Sequence, residues 1–177
     1  MLQTSTVKES TLELLRSLQA ESLLTSTRLV GGTALSLQIG HRESDDLDLF
    51  SVEPLLGALI QKLLVDKYGF MPTVVQENTL IGFVDGVKID VIYHPFPWLD
   101  SAIEEDGIRI ASLTDITAMK MHAVINSGKR PKDFVDIAFT TARKVDPDLK
   151  LFYNDYSTEG KWPKTYSVYN FIKDLIK

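Results

Sequence analysis

The chain contains no cysteine, few histidines and no excess of basic residues, and each absence removes a class of function. Without cysteine there is no disulfide framework, no thiolate zinc site and no cysteine nucleophile. The three histidines, His41, His94 and His122, are too scattered to predict a histidine metal site. Because 24 acidic residues outnumber 19 basic ones, for a net charge of −5, a broad basic surface for nucleic acid is not indicated.

Long apolar runs are also missing. No stretch approaches the roughly 18 residues that a membrane-spanning helix needs, and the N-terminal residues lack the anatomy of a signal peptide. We therefore expect a cytoplasmic protein with no membrane partner. Its hydrophobic content of 44% is enough for a folded core.

Helices and strands alternate along the chain without a regular βαβ repeat. This pattern predicts a mixed α/β (α+β) fold, with a small, partly antiparallel sheet flanked by helices. Helices are expected at about residues 7–24, 33–39, 54–64, from 113, at 132–143 and near 166–175. Strands are expected at 28–30, 46–51, 71–76, 80–85 and 87–94, with an edge strand at 107–111. We predict a core over residues 1–112 and a helical part over 113–177, packed as one compact unit.

Asp46 and Asp48 form an Asp-x-Asp motif. On a strand their carboxylates share one face, about 6.6 Å apart along the chain, with Leu47 and Leu49 turned to the other side. Oxygen ligands at that spacing suit Mg²⁺ or Mn²⁺. An isolated motif of this kind is more often a solvated strand edge, so both interpretations stay open.

A later aspartate strengthens the metal interpretation. Asp90 lies in the apolar strand Lys88-Ile89-Asp90-Val91-Ile92-Tyr93, where burial is costly unless the carboxylate is paired or bound to metal. If this strand lies beside the first, Asp90 completes a cluster of three carboxylates. The alternative is an exposed residue on an open sheet face.

Gly31 and Gly32 join a predicted strand to a predicted helix. Two residues without side chains let backbone N–H groups approach a phosphate at the helix N-terminus. A plain tight turn is the alternative that this pair leaves open.

The order of these motifs resembles the nucleotidyltransferase superfamily with a DNA-polymerase-beta-type core. Residues 29–35 and 40–50, which hold Gly31-Gly32-Thr33 and Arg42-x-Ser44-x-Asp46-Leu47-Asp48, are similar to the AbiEii/MenT-type toxins of type IV toxin–antitoxin systems. The resemblance continues at residues 118–120 and 132–137, and so spans about residues 28–138.

This resemblance implies roles for ten residues. Three would hold the metal ions, and the last of them would help to activate the attacking hydroxyl: Asp46, Asp48 and Asp90. Five would lie around the triphosphate: Gly31, Gly32, Thr33, Arg42 and Ser44. Two would match the family's functional lysine and aspartate on later helices: Lys120 and Asp136. From the residues alone, Arg42 could equally form an ion pair with a neighbouring acid. Ser44 could brace its own loop by local hydrogen bonds, and Lys120 could be a solvent-facing lysine.

The implied function is metal-dependent transfer of a nucleoside monophosphate from an NTP to an acceptor. RNA, tRNA or protein is the expected acceptor, in a toxin with a cognate antitoxin. Two alternatives remain: a nucleotidyltransferase that modifies a small molecule such as an antibiotic, and a binding module that has kept the fold without turnover. The oligomeric state, the preferred NTP and the acceptor have no signature in the sequence.

Overall fold

The computed structural model describes residues 1–126 and 130–145, and the chain divides into two compact units, Met1–Ile116 and Thr117–Lys177. Within the described residues the helices are α1 (Glu9–Gln19), α2 (Gly31–Ile39), α3 (Gly57–Tyr68), α4 (Leu113–Asn126) and α5 (Pro131–Val145). The strands are β1 (Arg28–Val30), β2 (Leu47–Ser51), β3 (Met71–Gln76), β4 (Thr79–Val84), β5 (Val87–Tyr93), β6 (Ile103–Glu105) and β7 (Ile108–Ile110). This is the mixed α/β class that the sequence predicts.

All of the strands described above belong to one mixed sheet in the first unit, with the order β3-β4-β5-β2-β1-β7-β6. The β2 strand runs antiparallel to β1 and parallel to β5. The β3-β4-β5 meander supplies one side of the sheet, and β7 extends the other by pairing in parallel with β1. Seven strands make this sheet larger than the small sheet expected from the sequence.

Turn chemistry sets several of these boundaries. Asp85 and Gly86 both have positive φ, 48° and 80°, which suits a tight hairpin turn between β4 and β5. Gly40 ends α2 in the left-handed conformation, with φ 67°. Ser112 and Asp115 form a reciprocal cap at the start of α4, since each accepts a hydrogen bond from the other residue.

Alternation along β2 separates the two faces of the sheet. Leu47, Leu49 and Ser51 are buried, whereas Asp48 and Phe50 are partly exposed. The N-terminal segment packs its own apolar side chains into the core, including Leu12 and Leu15, which have no exposed surface. We call the sheet face that carries Asp48 the carboxylate face.

Two predictions about elements were wrong in detail. Residues 107–111 do not form an edge strand, because β6 pairs with β7 on its outer side. The helix expected from Pro54 begins at Gly57, and two leucines within the expected range, Leu56 and Leu59, are 60% and 54% exposed. A Cβ at Gly57 would lie 2.4 Å from the carbonyl oxygen of Glu77, so only glycine permits this approach of the helix start.

In the second unit, α5 carries buried positions at Ile137 and Thr140. The predicted final helix lies outside the described residues. The predicted boundary at residue 112, and the packing of the two parts as one compact unit, stay predictions. No helix in the described ranges is both long and apolar enough to cross a membrane.

Candidate active site

Two carboxylates lie side by side on the carboxylate face. Asp48 of β2 and Asp90 of β5 are direct partners in the parallel register, about 4.8 Å apart across neighbouring strands. Asp46 directly precedes β2 and is exposed, whereas Asp90 is buried. The carboxylate hypothesis depended on the strand of Asp90 lying beside that of Asp48. These strands, β5 and β2, are neighbours, and they bring Asp48 and Asp90 together.

The Gly31-Gly32 pair lets polar side chains reach the backbone at the start of α2. A Cβ on Gly31, whose φ is 74°, would lie 1.9 Å from Asp48 Oδ2. A Cβ on Gly32 would lie 2.2 Å from Arg42 Nη2 and 3.1 Å from Ser44 Oγ. Val30, the N-cap residue, has no side chain that can bond the first-turn N–H groups. The glycines thus leave room for acidic and basic side chains at the positive end of the helix.

The loop that carries the first aspartate is fixed from two sides. The Thr33 hydroxyl donates to the carbonyl oxygen of Asp46 (2.5 Å) and lies 3.0 Å from Ser44 Oγ. The Ser44 N–H donates to the carbonyl oxygen of Thr6 (3.2 Å). Because the Thr33 side chain is fully buried, it positions this loop; its place beside the triphosphate, which the resemblance implied, stays a prediction.

The neighbouring acid, Asp45, is engaged elsewhere. Lys8 Nζ lies 2.6 Å from Asp45 Oδ2, and the hydrogen bond from Lys8 lowers the pKa of Asp45. This pairing holds Asp45 to the N-terminal segment. Of the two acids that directly precede β2, Asp46 is therefore the exposed one.

Lys88 contacts the buried carboxylate directly. It lies two residues before Asp90 on β5, and therefore on the same face. Its Nζ is 2.6 Å from both Oδ1 and Oδ2 of Asp90. The i, i+2 spacing of opposite charges on β5 is the sequence signal from which this pair could have been predicted.

The donor set fits a hard divalent cation. Mg²⁺ is usually held by one or two carboxylates and completes its shell with water and substrate phosphates, and Asp48 and Asp90 provide such a pair. Within residues 1–126 and 130–145, no three histidine, aspartate or glutamate side chains converge into a metal centre by themselves. Lys88 occupies Asp90 with an ion pair, and the assignment of Asp46, Asp48 and Asp90 to one metal site stays a prediction.

A second charged cluster lies in the second unit. Lys120 Nζ on α4 is 2.7 Å from Asp133 Oδ1 and 2.8 Å from Asp136 Oδ2 on α5. All three residues are buried, so Lys120 is not the solvent-facing lysine that its residue type suggested. In the sequence, Asp133 and Asp136 are three residues apart and so share a helix face, although Asp133 also fits a charge at a helix N-terminus.

Comparison with solved structures gives the fold. The crystal structure of the putative nucleotidyltransferase from H. pylori matches with a TM-score of 0.54 at 19% identity, covering 85% of this chain and 75% of that one. ANT(2″)-Ia in complex with adenylyl-2″-tobramycin matches with a TM-score of 0.58 at 12% identity, covering 87% and 100%. The Megavirus polyadenylate synthase matches with a TM-score of 0.52 at 19% identity, covering 74% of this chain and 31% of that one. The chain has the nucleotidyltransferase fold.

Part of the first unit is similar to a known family. Residues 13–74 match the family model described as the nucleotidyl transferase AbiEii toxin of type IV toxin–antitoxin systems. The match covers less than half of the chain. An uncharacterised protein of Aquifex aeolicus is 36% identical over 126 residues, which are 69% of this chain and 60% of that protein.

The C-terminal part of the chain is similar to a different class of protein. Residues 111–177 match the model of glycosyl hydrolase family 10. Endo-1,4-beta-xylanase B of Neocallimastix patriciarum is 62% identical over 45 residues, which are 25% of this chain but 5% of the xylanase. No motif described above predicts this similarity. Because the stretch includes Lys120 and Asp136, their assignment to the nucleotidyltransferase motif stays a prediction.

Proposed function

We propose that the carboxylate face binds a divalent cation and an NTP and transfers a nucleoside monophosphate to an acceptor hydroxyl. The observation that carries the proposal is the register pairing of Asp48 with Asp90, beside the glycine N-terminus of α2. Carboxylates supply the cation's ligands, and the first-turn N–H groups of α2 favour the negative charge of phosphates.

Each group has a role that follows from its surroundings. Asp46, Asp48 and Asp90 would hold the cation, and Gly31 and Gly32 would offer N–H groups to the phosphates. Arg42, whose Nη1 donates to the carbonyl oxygen of Glu43 (3.1 Å), would bring a positive charge to the same helix start. Ser44 and Thr33 would keep the loop of Asp46 in place.

In the reaction, the acceptor oxygen attacks the α-phosphorus of the NTP. A new P–O bond forms, the bond from the α-phosphorus to the bridging oxygen breaks, and pyrophosphate leaves with the electron pair. Asp90 would accept the proton of the attacking hydroxyl, which requires that Lys88 no longer occupy both of its oxygens. The bound cation would supply charge stabilisation to the attacking and leaving oxygens.

We further propose RNA, tRNA or protein as the acceptor, in a cytoplasmic toxin that is neutralised by a cognate antitoxin. The family description of residues 13–74 supports this role. Growth arrest on expression, abolished by Asp48→Asn and relieved by co-expression of the adjacent gene, is the expected cellular result. Growth unaffected by the active protein would contradict the toxin role.

The catalytic proposal is tested by incubating the protein with each α-labelled NTP, a magnesium salt and total RNA. Asp48→Asn keeps the side-chain size and removes the charge; Asp66→Asn makes the same change on an exposed residue of α3 that pairs with Lys62. We expect label on RNA, or on the protein itself, with the wild type and Asp66→Asn but not with Asp48→Asn. Equal labelling by both variants would refute the assignment of Asp48.

A small-molecule acceptor is the second candidate, and the match to ANT(2″)-Ia over 87% of this chain favours it. Label on an added aminoglycoside, and none on RNA or protein, would support that function. A binding module without turnover would bind NTP and transfer no label to any acceptor. We do not propose a xylanase, because 45 residues that span 5% of such an enzyme are near the lower limit for a domain that folds alone.

A further inference from the structure

The Lys88–Asp90 pair lies where the proposed cation must bind. Asp48 and Asp90 are like charges in direct register, an arrangement that is unfavourable unless a positive charge compensates it. Lys88 Nζ supplies that charge, 2.6 Å from each oxygen of Asp90. A cation that coordinates Asp90 has to replace this ammonium group.

Exposure and chemistry make Lys88 suited to being replaced. Its side chain is 37% exposed, whereas that of Asp90 is 12% exposed, so the ammonium group has a route to solvent while the carboxylate stays in place. A lysine ammonium is a compact charge on a flexible stem, which leaves a carboxylate more readily than the two-pronged guanidinium of arginine.

We propose that Lys88 is an internal counter-ion for Asp90 that competes with the divalent cation and lowers the metal affinity of the nucleotide-free protein. The inference rests on the proposed function, because it takes the carboxylate face as the metal site. Metal then binds well only when the phosphates of an NTP add ligands of their own. Lys88 acts on the cation through Asp90 and is a positioning residue.

The test is Mn²⁺ binding without nucleotide, followed by the electron paramagnetic resonance signal of free Mn²⁺. Lys88→Met removes the charge and keeps much of the stem. A unit charge about 5 Å from a divalent cation in a water-like dielectric changes affinity by roughly tenfold, so we expect Lys88→Met to bind Mn²⁺ about tenfold more tightly. Lys62→Met, which breaks an exposed pair with Asp66, is the matched control and should bind as the wild type does.

Two further variants separate this inference from the proposed function. Lys88→Met/Asp90→Asn should bind Mn²⁺ no more tightly than Asp90→Asn alone, because the lysine acts through that carboxylate. If Asp48→Asn binds Mn²⁺ as well as the wild type, the proposed metal site fails. If Asp48→Asn loses Mn²⁺ while Lys88→Met matches Lys62→Met, the metal site stands and the role of Lys88 is refuted. A purely structural lysine would lower the melting temperature of Lys88→Met without raising Mn²⁺ affinity.

Discussion

Replacing Gly31 with alanine tests the geometry of the proposed phosphate site. Gly31 has φ 74°, and its added Cβ would lie 1.9 Å from Asp48 Oδ2. The left-handed backbone conformation costs an alanine roughly 1–2 kcal/mol. The clash forces the carboxylate away, and overpacking of this kind costs about 1–3 kcal/mol more. We expect Gly31→Ala to lower the free energy of unfolding by about 2–5 kcal/mol and to displace Asp48.

Gly86→Ala is the matched control. Gly86 has φ 80°, and a Cβ there would meet no atom within 4 Å, so the control carries the backbone cost without the clash. Urea unfolding followed by fluorescence measures both variants, in a Trp162→Phe background that leaves Trp98 as the reporter of the first unit.

The clash is isolated by removing its partner. In an Asp48→Ala background the added methyl group has no carboxylate to meet, so Gly31→Ala should cost no more than Gly86→Ala. The reasoning is refuted if Gly31→Ala and Gly86→Ala are equally destabilising while Asp48 is present.

Two further predictions concern charged groups. Lys120→Met leaves the buried carboxylates of Asp133 and Asp136 without their cation, so it should destabilise the second unit by about 3–5 kcal/mol in urea unfolding. The control Lys132→Met, at an exposed position of α5, should change stability by less than about 0.5 kcal/mol. Similar losses in both variants would contradict the buried cluster. Hydrogen bonds from Lys67 and Tyr68 lower the pKa of Glu21. The stability from Glu21 is therefore present above its unfolded pKa, about 4.3, and lost as the pH falls through the folded value. Glu21→Gln should show a smaller decrease of the urea midpoint between pH 6 and pH 3 than the wild type, and an identical decrease would refute this account.

Most of the first unit was predictable because its signals are local. The β3-β4-β5 meander follows from alternating apolar residues around the Asp85-Gly86 turn, and α2 ends at Gly40 as expected. The β6 strand was missed because Ile103–Glu105 is short and mostly acidic. The Asp106-Gly107 pair, with φ 53° and 74°, is the same kind of turn signal and could have predicted that β6 pairs with β7.

The site was predictable in its residues but not in its contacts. Period-two spacing placed Asp46 and Asp48 on one face, yet only the register of β2 with β5 shows that Asp90 lies opposite Asp48. Pairing across distant segments has no local signal. Burial of Thr33 and the direction of the Lys88 side chain depend on the same long-range packing.

The similarity of residues 111–177 to glycosyl hydrolase family 10 could not be predicted from hydrophobic periodicity. Hydrophobic periodicity predicts helices in that part of the chain whichever family it came from, because the same period serves any amphipathic helix. The pattern therefore carries no information on which protein class the residues resemble.

The most direct test of the account is the position of the cation in a crystal of the protein soaked with Mn²⁺ and a non-hydrolysable NTP analogue. We predict an anomalous Mn²⁺ peak within coordinating distance of Asp48 and Asp90, with the phosphates at the N-terminus of α2 beside Gly31. A nucleotide and Mn²⁺ bound away from the carboxylate face would contradict the central claim.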